Sequence, residues 1–396
     1  MKTDAGAVVG QMAVPMLPND TAAEVFVKAL VVADIVLDKS LPAIVGIGGQ
    51  DGSYLCEILL QNEYTVHGIL RPRTTNDYIP IAVSSVLAAA KKNPNKVILH
   101  YGDIMDPYFL LGLFKEHAYD EVYHLAAQSH VGTSFKVQLY TCDVNALGTL
   151  RLIQTILTLG LEKKTKFYNA CSSEMFGQTK NRYQNESTPL APVSPYAAAK
   201  AFSYWITSSA RITHGLFAVN GILFNHESPR RGLDFVTRKI TFGVAEIHLG
   251  LQSCLHLGNL NARRDWGHAR DYMRGVLDMM RQDAPDDYVL ATGETRSVRD
   301  FVEIAFQIVG MQLQWKGSGN EEIGVDSRTG EVRVRIDPDL YRPAEVSYLR
   351  GCAEKAAMCL KWQPQVSFEE LVKEMVEADK ALIQGEPAKF WVTSKL

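Results

Sequence analysis

No run of apolar residues in this 396-residue chain reaches the roughly 18 that a membrane-crossing helix needs. There is no excess of basic charge either. Lys+Arg number 41 and Asp+Glu 44, a net charge of −3, which argues against a general nucleic-acid binder. Cysteine is sparse and scattered: Cys56, Cys142, Cys171, Cys254, Cys352 and Cys359 form no CxxC and no Cys/His cluster at metal spacing. Free thiols, a reducing compartment and no bound metal are therefore expected. The opening Met1-Lys2-Thr3-Asp4 lacks the basic and apolar layout of a signal peptide. A cytoplasmic location is the expectation, with neither nucleic acid nor membrane as partner. Low-complexity tracts and internal repeats are also missing. What remains, 46% hydrophobic residues, is enough for a packed core and excludes disorder for most of the chain.

The pattern changes at Ala43. Residues 1–42 read as an N-terminal extension with a loosely helical segment after Asn19-Asp20-Thr21. Then Ala43–Ile47 is a short apolar strand ending in glycines, Ser53–Leu60 opens a helix, and Tyr64–Leu70 is a second strand. Strands follow at 97–100, 121–125, 166–170 and 217–223, separated by helices at 107–116, 141–159 and 195–214. This alternation predicts an α/β fold: a doubly wound Rossmann parallel sheet with helices on both faces. After Asn225 the rhythm loosens, predicting a smaller α/β substrate-binding lobe. The predicted division is a dinucleotide-binding domain over 43–225, with about 255–290 returning to it, and an interleaved lobe over 226–396.

Gly46, Gly49 and Gly52 lie between a strand and a helix. One permits a tight turn, one a close approach of backbone to a pyrophosphate, and one close packing of helix on sheet. The second strand ends in Leu70-Arg71-Pro72-Arg73, without the acid that NAD binders place there. Arg71 and Arg73 can pair with a 2′-phosphate, which favours NADP. Asp103, after the third strand, is placed at the adenine. Ala126-Ala127-Gln128-Ser129, after the fourth, is placed along the diphosphate and nicotinamide ribose. Ser172 and Glu174 follow the fifth strand. Tyr196 and Lys200 sit four apart on one helix face. A phenol cannot act as a base near neutral pH unaided, and a nearby ammonium together with the positive nicotinamide is expected to lower its pKa.

Several stretches together carry a resemblance. They are Gly49-Gln50-Asp51-Gly52-Ser53-Tyr54-Leu55, Ala127-Gln128-Ser129-His130-Val131 and Ser194-Pro195-Tyr196, then Asn225-His226-Glu227-Ser228-Pro229-Arg230-Arg231-Gly232 and Tyr341-Arg342-Pro343. From about Ala43 to about Ala378 the chain resembles the GDP-mannose 4,6-dehydratases, in the extended short-chain dehydrogenase/reductase superfamily. The resemblance implies NADP as cofactor, GDP-mannose as substrate, and a homodimer or homotetramer. It implies that Ser172, Glu174, Tyr196 and Lys200 are catalytic. Gln50, Asp51, Ile104, Leu125, Tyr140, His226 and Arg231 are implied cofactor positions. Asn225, Arg238, Arg264, Arg342 and Glu345 are implied at the substrate. Ser172 stands where the family usually has Thr, and Asn76 to Asn95 departs from its pattern. Fold alone leaves another nucleotide-sugar dehydratase or epimerase open, or a catalytically weak regulatory paralogue. Glu174 beside Ser172 favours elimination.

Overall fold

A computed structural model describes residues 40–72, 79–341 and 344–385. Its centre is a sheet of seven strands: β1 (Pro42–Val45), β2 (Val66–Leu70), β3 (Val97–Tyr101), β4 (Glu121–His124), β5 (Lys166–Ser172), β6 (Phe217–Leu223) and a late strand (Asp287–Leu290). The spatial order is β3-β2-β1-β4-β5-β6 followed by the late strand, and every neighbouring pair is parallel. The late strand, absent from the sequence reading, extends the sheet beyond β6.

Burial on both faces explains why the strands read as unbroken apolar runs. In β1, Ile44 packs into one core layer with Leu55, Leu59, Met273 and Val276. Its neighbours Ala43 and Val45 point the other way, to Leu110, Val122, Leu152 and Phe167. Helices α1 (Gln50–Gln61), α2 (Ile81–Lys92), α3 (Pro107–His117), α4 (Gly148–Thr158) and α5 (Pro195–His214) fill these layers. The helix expected over 141–159 is interrupted: Asp143–Leu147 forms a π-helical turn ahead of α4. Strand order reverses between β1 and β4, and such a switch point opens a ligand crevice beyond the carboxyl ends of the strands.

After β6 the chain leaves the sheet. Strand β7 (Asn225–Glu227) pairs with a short strand at Trp266–His268, and α6 (Val236–His248) follows. Leu255–Leu257, expected with the large sheet, joins instead a four-stranded sheet with Leu313–Lys316, Ile323–Asp326 and Val332–Ile336. Helix α7 (Ala269–Met280) returns to the large sheet, whereas α8 (Val298–Ile308) and α9 (Phe368–Ile383) pack with α6. Among the described residues no helix is long and apolar enough to cross a membrane.

Candidate active site

Beyond β1, Gly46 adopts φ +95°, a conformation that disfavours any side chain. A Cβ there would also lie 2.7 Å from the Ala126 nitrogen across the switch point. At Gly52 a Cβ would lie 2.4 Å from the Gly46 carbonyl oxygen. Both obstacles are backbone, so the turn admits glycine only. Gly49 caps α1 without a side-chain hydrogen bond, leaving the positive helix end to an anion.

The first turn of α1 is clasped to the segment after β6. Gln50 Nε2 donates to the His226 carbonyl (3.0 Å), and Ser228 Oγ donates to Gln50 Oε1 (2.8 Å). Asp51 Oδ2 lies 2.9 Å from His226 Nε2. Burial alone would push the His226 pKa down, but the Asp51 charge and hydrogen bond outweigh it and hold it above the ordinary value. Burial likewise works against the Asp51 carboxylate, and His226 overcomes it. The acid in the turn is thus held against an imidazole whose protonated form it favours.

The other predicted cofactor positions ring the same strand ends. Arg71 donates to the Tyr140 hydroxyl, joining two residues 69 apart in sequence. Arg73 lies outside the described residues. Asp103 Oδ1 accepts the Met105 N–H at 3.0 Å, and Ile104 is buried beside it. Leu125, Ala127 and Ser129 line a cavity of about 950 Å³. Gln128 is fixed in both directions by Asn145, whose amide accepts from its N–H (2.8 Å) and donates to its carbonyl (2.9 Å). Sequence reasoning missed Asn145. Its only signal was a polar residue on the buried side of an apolar helix.

Ser172, Glu174, Tyr196 and Lys200 all line that cavity. Ser194 caps α5, its Oγ accepting the Ala197 N–H, with Pro195 at the first helical position. This places Tyr196 and Lys200 one turn apart on a buried face. Ser172 Oγ accepts the Glu174 N–H (3.3 Å) and hydrogen-bonds Tyr196. Lys200 Nζ donates to the Ala170 carbonyl at 2.7 Å, and burial lowers its pKa.

On the far wall are Asn225, His226, Arg231, Arg264 and Glu345. Arg264 stands between two carboxylates, 3.9 Å from Glu174 and 3.9 Å from Glu345. Asn259 donates to Glu345 (2.9 Å). Arg231 pairs with Glu227 (3.1 Å) and stacks on Phe235. Arg342 lies outside the described residues.

A family model for GDP-mannose 4,6 dehydratase matches residues 43–375. The chain belongs to the GDP-mannose 4,6-dehydratase family.

Among its relatives, the GDP-mannose 4,6-dehydratase sdnI of Sordaria araneosa is 51% identical over 355 residues, covering 89% of this chain and 63% of that protein. The chain therefore spans less than two thirds of that relative. The GDP-mannose 4,6 dehydratase of Cricetulus griseus is 47% identical over 354 residues, covering 88% of this chain and 94% of its own. The structure of RMD from Pseudomonas aeruginosa with NADPH shares the fold, with a TM-score of 0.68 at 20% identity over 87% of this chain and 100% of that one.

The family is one of NADP-dependent hydro-lyases, and this chain is one of them. The residues present fit a dinucleotide. The glycine turn leaves no room for side chains, and the buried Asn225 Oδ1 and Gln128 Oε1 have no hydrogen-bond partner in the protein. The protein's own groups leave the Tyr196 pKa above its ordinary value, so the lowering expected of Lys200 together with the nicotinamide is left to the latter's charge. Burial pushes that phenol up to about 12, against the opposing hydrogen bond from Ser172, and Glu174 adds to the rise. Arg238, expected at the GDP portion, is 1% exposed and does not line the cavity. It is spent on Asp379 and on the carbonyls of Pro229 and Arg231. Its role here is to shape the wall that carries Arg231.

Proposed function

We propose that this chain converts GDP-mannose to GDP-4-dehydro-6-deoxy-mannose, the precursor of GDP-fucose or another GDP-6-deoxyhexose. NADP, when bound, accepts hydride from C4 of the sugar and returns it at C6. Residues 43–225, with the late strand Asp287–Leu290, hold the cofactor: the glycine turn and His226 at the diphosphate, Arg71 at the 2′-phosphate. Lys200 lies at the nicotinamide ribose. The interleaved lobe from 226 onward holds the GDP-sugar, with Arg264 and Glu345 facing it. A homodimeric or homotetrameric state and a cytoplasmic location belong to the same proposal.

Tyr196 takes the proton from the 4-hydroxyl, and Ser172 orients the oxygen. A phenol near 12 is protonated at neutral pH. Ionising it there calls for added positive charge, and the oxidised nicotinamide carries such charge. The C4 ketone makes the C5 proton acidic. Glu174 removes that proton and delivers one to the departing 6-hydroxyl, so water leaves. Tyr196 then returns a proton to C5.

The observation that carries this reading is Glu174, a buried carboxylate lining the cavity beside Ser172 and Tyr196. A 4-epimerase needs only oxidation and reduction at C4, and Glu174 supplies the extra base that elimination needs. The test is Glu174→Gln with GDP-mannose, following reduced nicotinamide by absorbance and the sugar nucleotide by mass. Elimination should slow by roughly 100- to 10,000-fold, the usual contribution of general acid–base catalysis, while reduced cofactor accumulates. Removing the Glu174 charge should also lower the Tyr196 pKa and move the oxidation profile toward lower pH. Unchanged dehydration would refute the assignment.

A further inference from the structure

A second cluster of chemically competent side chains lies outside the cavity, toward the edge of the large sheet. His67 sits in β2 and His100 in the edge strand β3. The parallel register pairs His67 with Ile98 and Ile69 with His100. Both histidines therefore point to the same face, the one covered by α3. There His117, the last residue of α3, completes the group. The ring centroids are 4.9 Å apart for His67 and His100, 4.6 Å for His67 and His117, and 5.3 Å for His100 and His117.

The hydrogen bonding of this group is crowded. His67 Nδ1 lies 3.0 Å from the Tyr119 hydroxyl and 3.0 Å from His100 Nε2. An imidazole nitrogen offers one lone pair or one N–H. Two polar neighbours therefore compete for a single hydrogen-bonding position in the interior. A nitrogen from each of the three rings lies within 4.8 Å of the other two, the only such grouping of His, Cys, Asp or Glu among the described residues. Zinc–nitrogen bonds of about 2.0–2.1 Å in tetrahedral geometry put ligand nitrogens about 3.3 Å apart. His67 and His100, 3.0 Å apart, already lie close to that spacing, and rotation of the partly exposed His117 would close the third side. Neutral imidazoles are what such an ion requires. The Glu116 carboxylate, 3.7 Å from His117 Nε2, supplies compensating charge at the rim.

We propose that His67, His100 and His117 bind one divalent transition-metal ion, Zn²⁺ first among them, which fastens the edge strand β3 and the end of α3 to β2. Imidazole is a ligand that suits Zn²⁺ and Co²⁺ and not the hard ions Mg²⁺ and Ca²⁺. Water takes the fourth position, with the Tyr119 hydroxyl beside it. The site is remote from Tyr196 and Glu174 and takes no part in the dehydration.

The test uses the full chain, stripped with a chelator and titrated with Zn²⁺ by calorimetry and with Co²⁺ by its visible d–d absorption. One equivalent should bind with the spectrum of a tetrahedral nitrogen site. At 100-fold excess over its Kd, Zn²⁺ should raise the Tm by about 4 °C. His117→Gln, and separately His100→Gln, should weaken binding by more than the roughly 10- to 100-fold typical of losing an outer partner. Both should keep NADP binding and the far-ultraviolet circular dichroism spectrum. His117 is partly exposed, so its variant folds even if the His100 variant does not. The chain carries 10 histidines, and the variants separate this cluster from the rest. Absence of a one-equivalent site, or equal Zn²⁺ affinity in wild type and His117→Gln, would overturn the proposal.

Discussion

Asp379→Ala tests the buried ion pair that holds the wall of the cavity. In α9 the apolar positions Val372, Met375 and Val376 continue at Asp379, so helical spacing drives a carboxylate into the interface with α6. Arg238 Nε reaches its two oxygens at 2.8 and 3.0 Å, Nη2 adds a contact at 2.6 Å, and Thr241 donates at 2.7 Å. Both side chains are within 2% of complete burial. Removing one partner leaves a guanidinium buried without its counter-charge, which costs about 3–5 kcal/mol. With an unfolding entropy of about 2.1 cal/mol/K per residue over the roughly 340 described residues, that loss lowers the Tm by about 4–7 °C. Because Arg238 also anchors the Pro229 and Arg231 carbonyls, NADP affinity should fall in parallel. Replacing both residues, Arg238→Met with Asp379→Leu, removes the charges together and should cost less than Asp379→Ala alone. Scanning calorimetry with and without NADP reads all three quantities. A loss below about 1 kcal/mol, the level of an exposed pair, would refute the argument.

Arg71→Ser should reduce the preference for NADP over NAD by about 1–3 kcal/mol, the value of a charge-assisted hydrogen bond, as read by fluorescence titration. An unchanged ratio would remove Arg71 from 2′-phosphate recognition. The His226–Asp51 pair should also stabilise the fold within a limited pH window. His226 has a raised pKa, so its contribution is complete below its ordinary 6.5 and is lost as pH rises through the folded value. Asp51 has a lowered pKa, so its contribution is present above 3.8 and is lost as pH falls through the folded value. The Tm gap between wild type and His226→Gln should therefore be largest between about pH 4 and 6.5 and shrink on the alkaline side. A gap independent of pH would show that packing on Tyr272, not charge, is what His226 supplies.

The first six strands of the large sheet and the glycine turn were legible because each is a local pattern: apolar runs bounded by glycine, spaced by helices. Phe217–Leu223 and Pro195–His214 were read to the residue for that reason. Helix α2 was not anticipated, because its alanine-rich stretch has a weak face and lies within the departure from the family pattern. The π turn at Asp143–Leu147 has no local signal. It depends on Asn145 reaching Gln128, a contact between segments. Arg238 illustrates the same limit from the other side. Its charge pointed to a diphosphate, and only the arrival of Asp379 from 141 residues away shows where it is committed. The burial that raises the Tyr196 pKa is equally hidden, since sequence shows an ammonium one turn away but not the depth of the phenol. The three histidines were invisible as a set, since each comes from a different element.

The clasp between α1 and the segment after β6 has a thermodynamic consequence. Gln50 and Asp51 belong to the turn proposed to receive the diphosphate, while His226 and Ser228 open the chain's passage into the second lobe. Any free energy by which an ordered second lobe tightens the turn must return, by reciprocity, as ordering of that lobe when the cofactor binds. Amide exchange in α6 and α9 is therefore expected to be faster without NADP than with it. An ordered second lobe and a bound cofactor should therefore each favour the other, so that either ligand raises the affinity for its neighbour by the same factor.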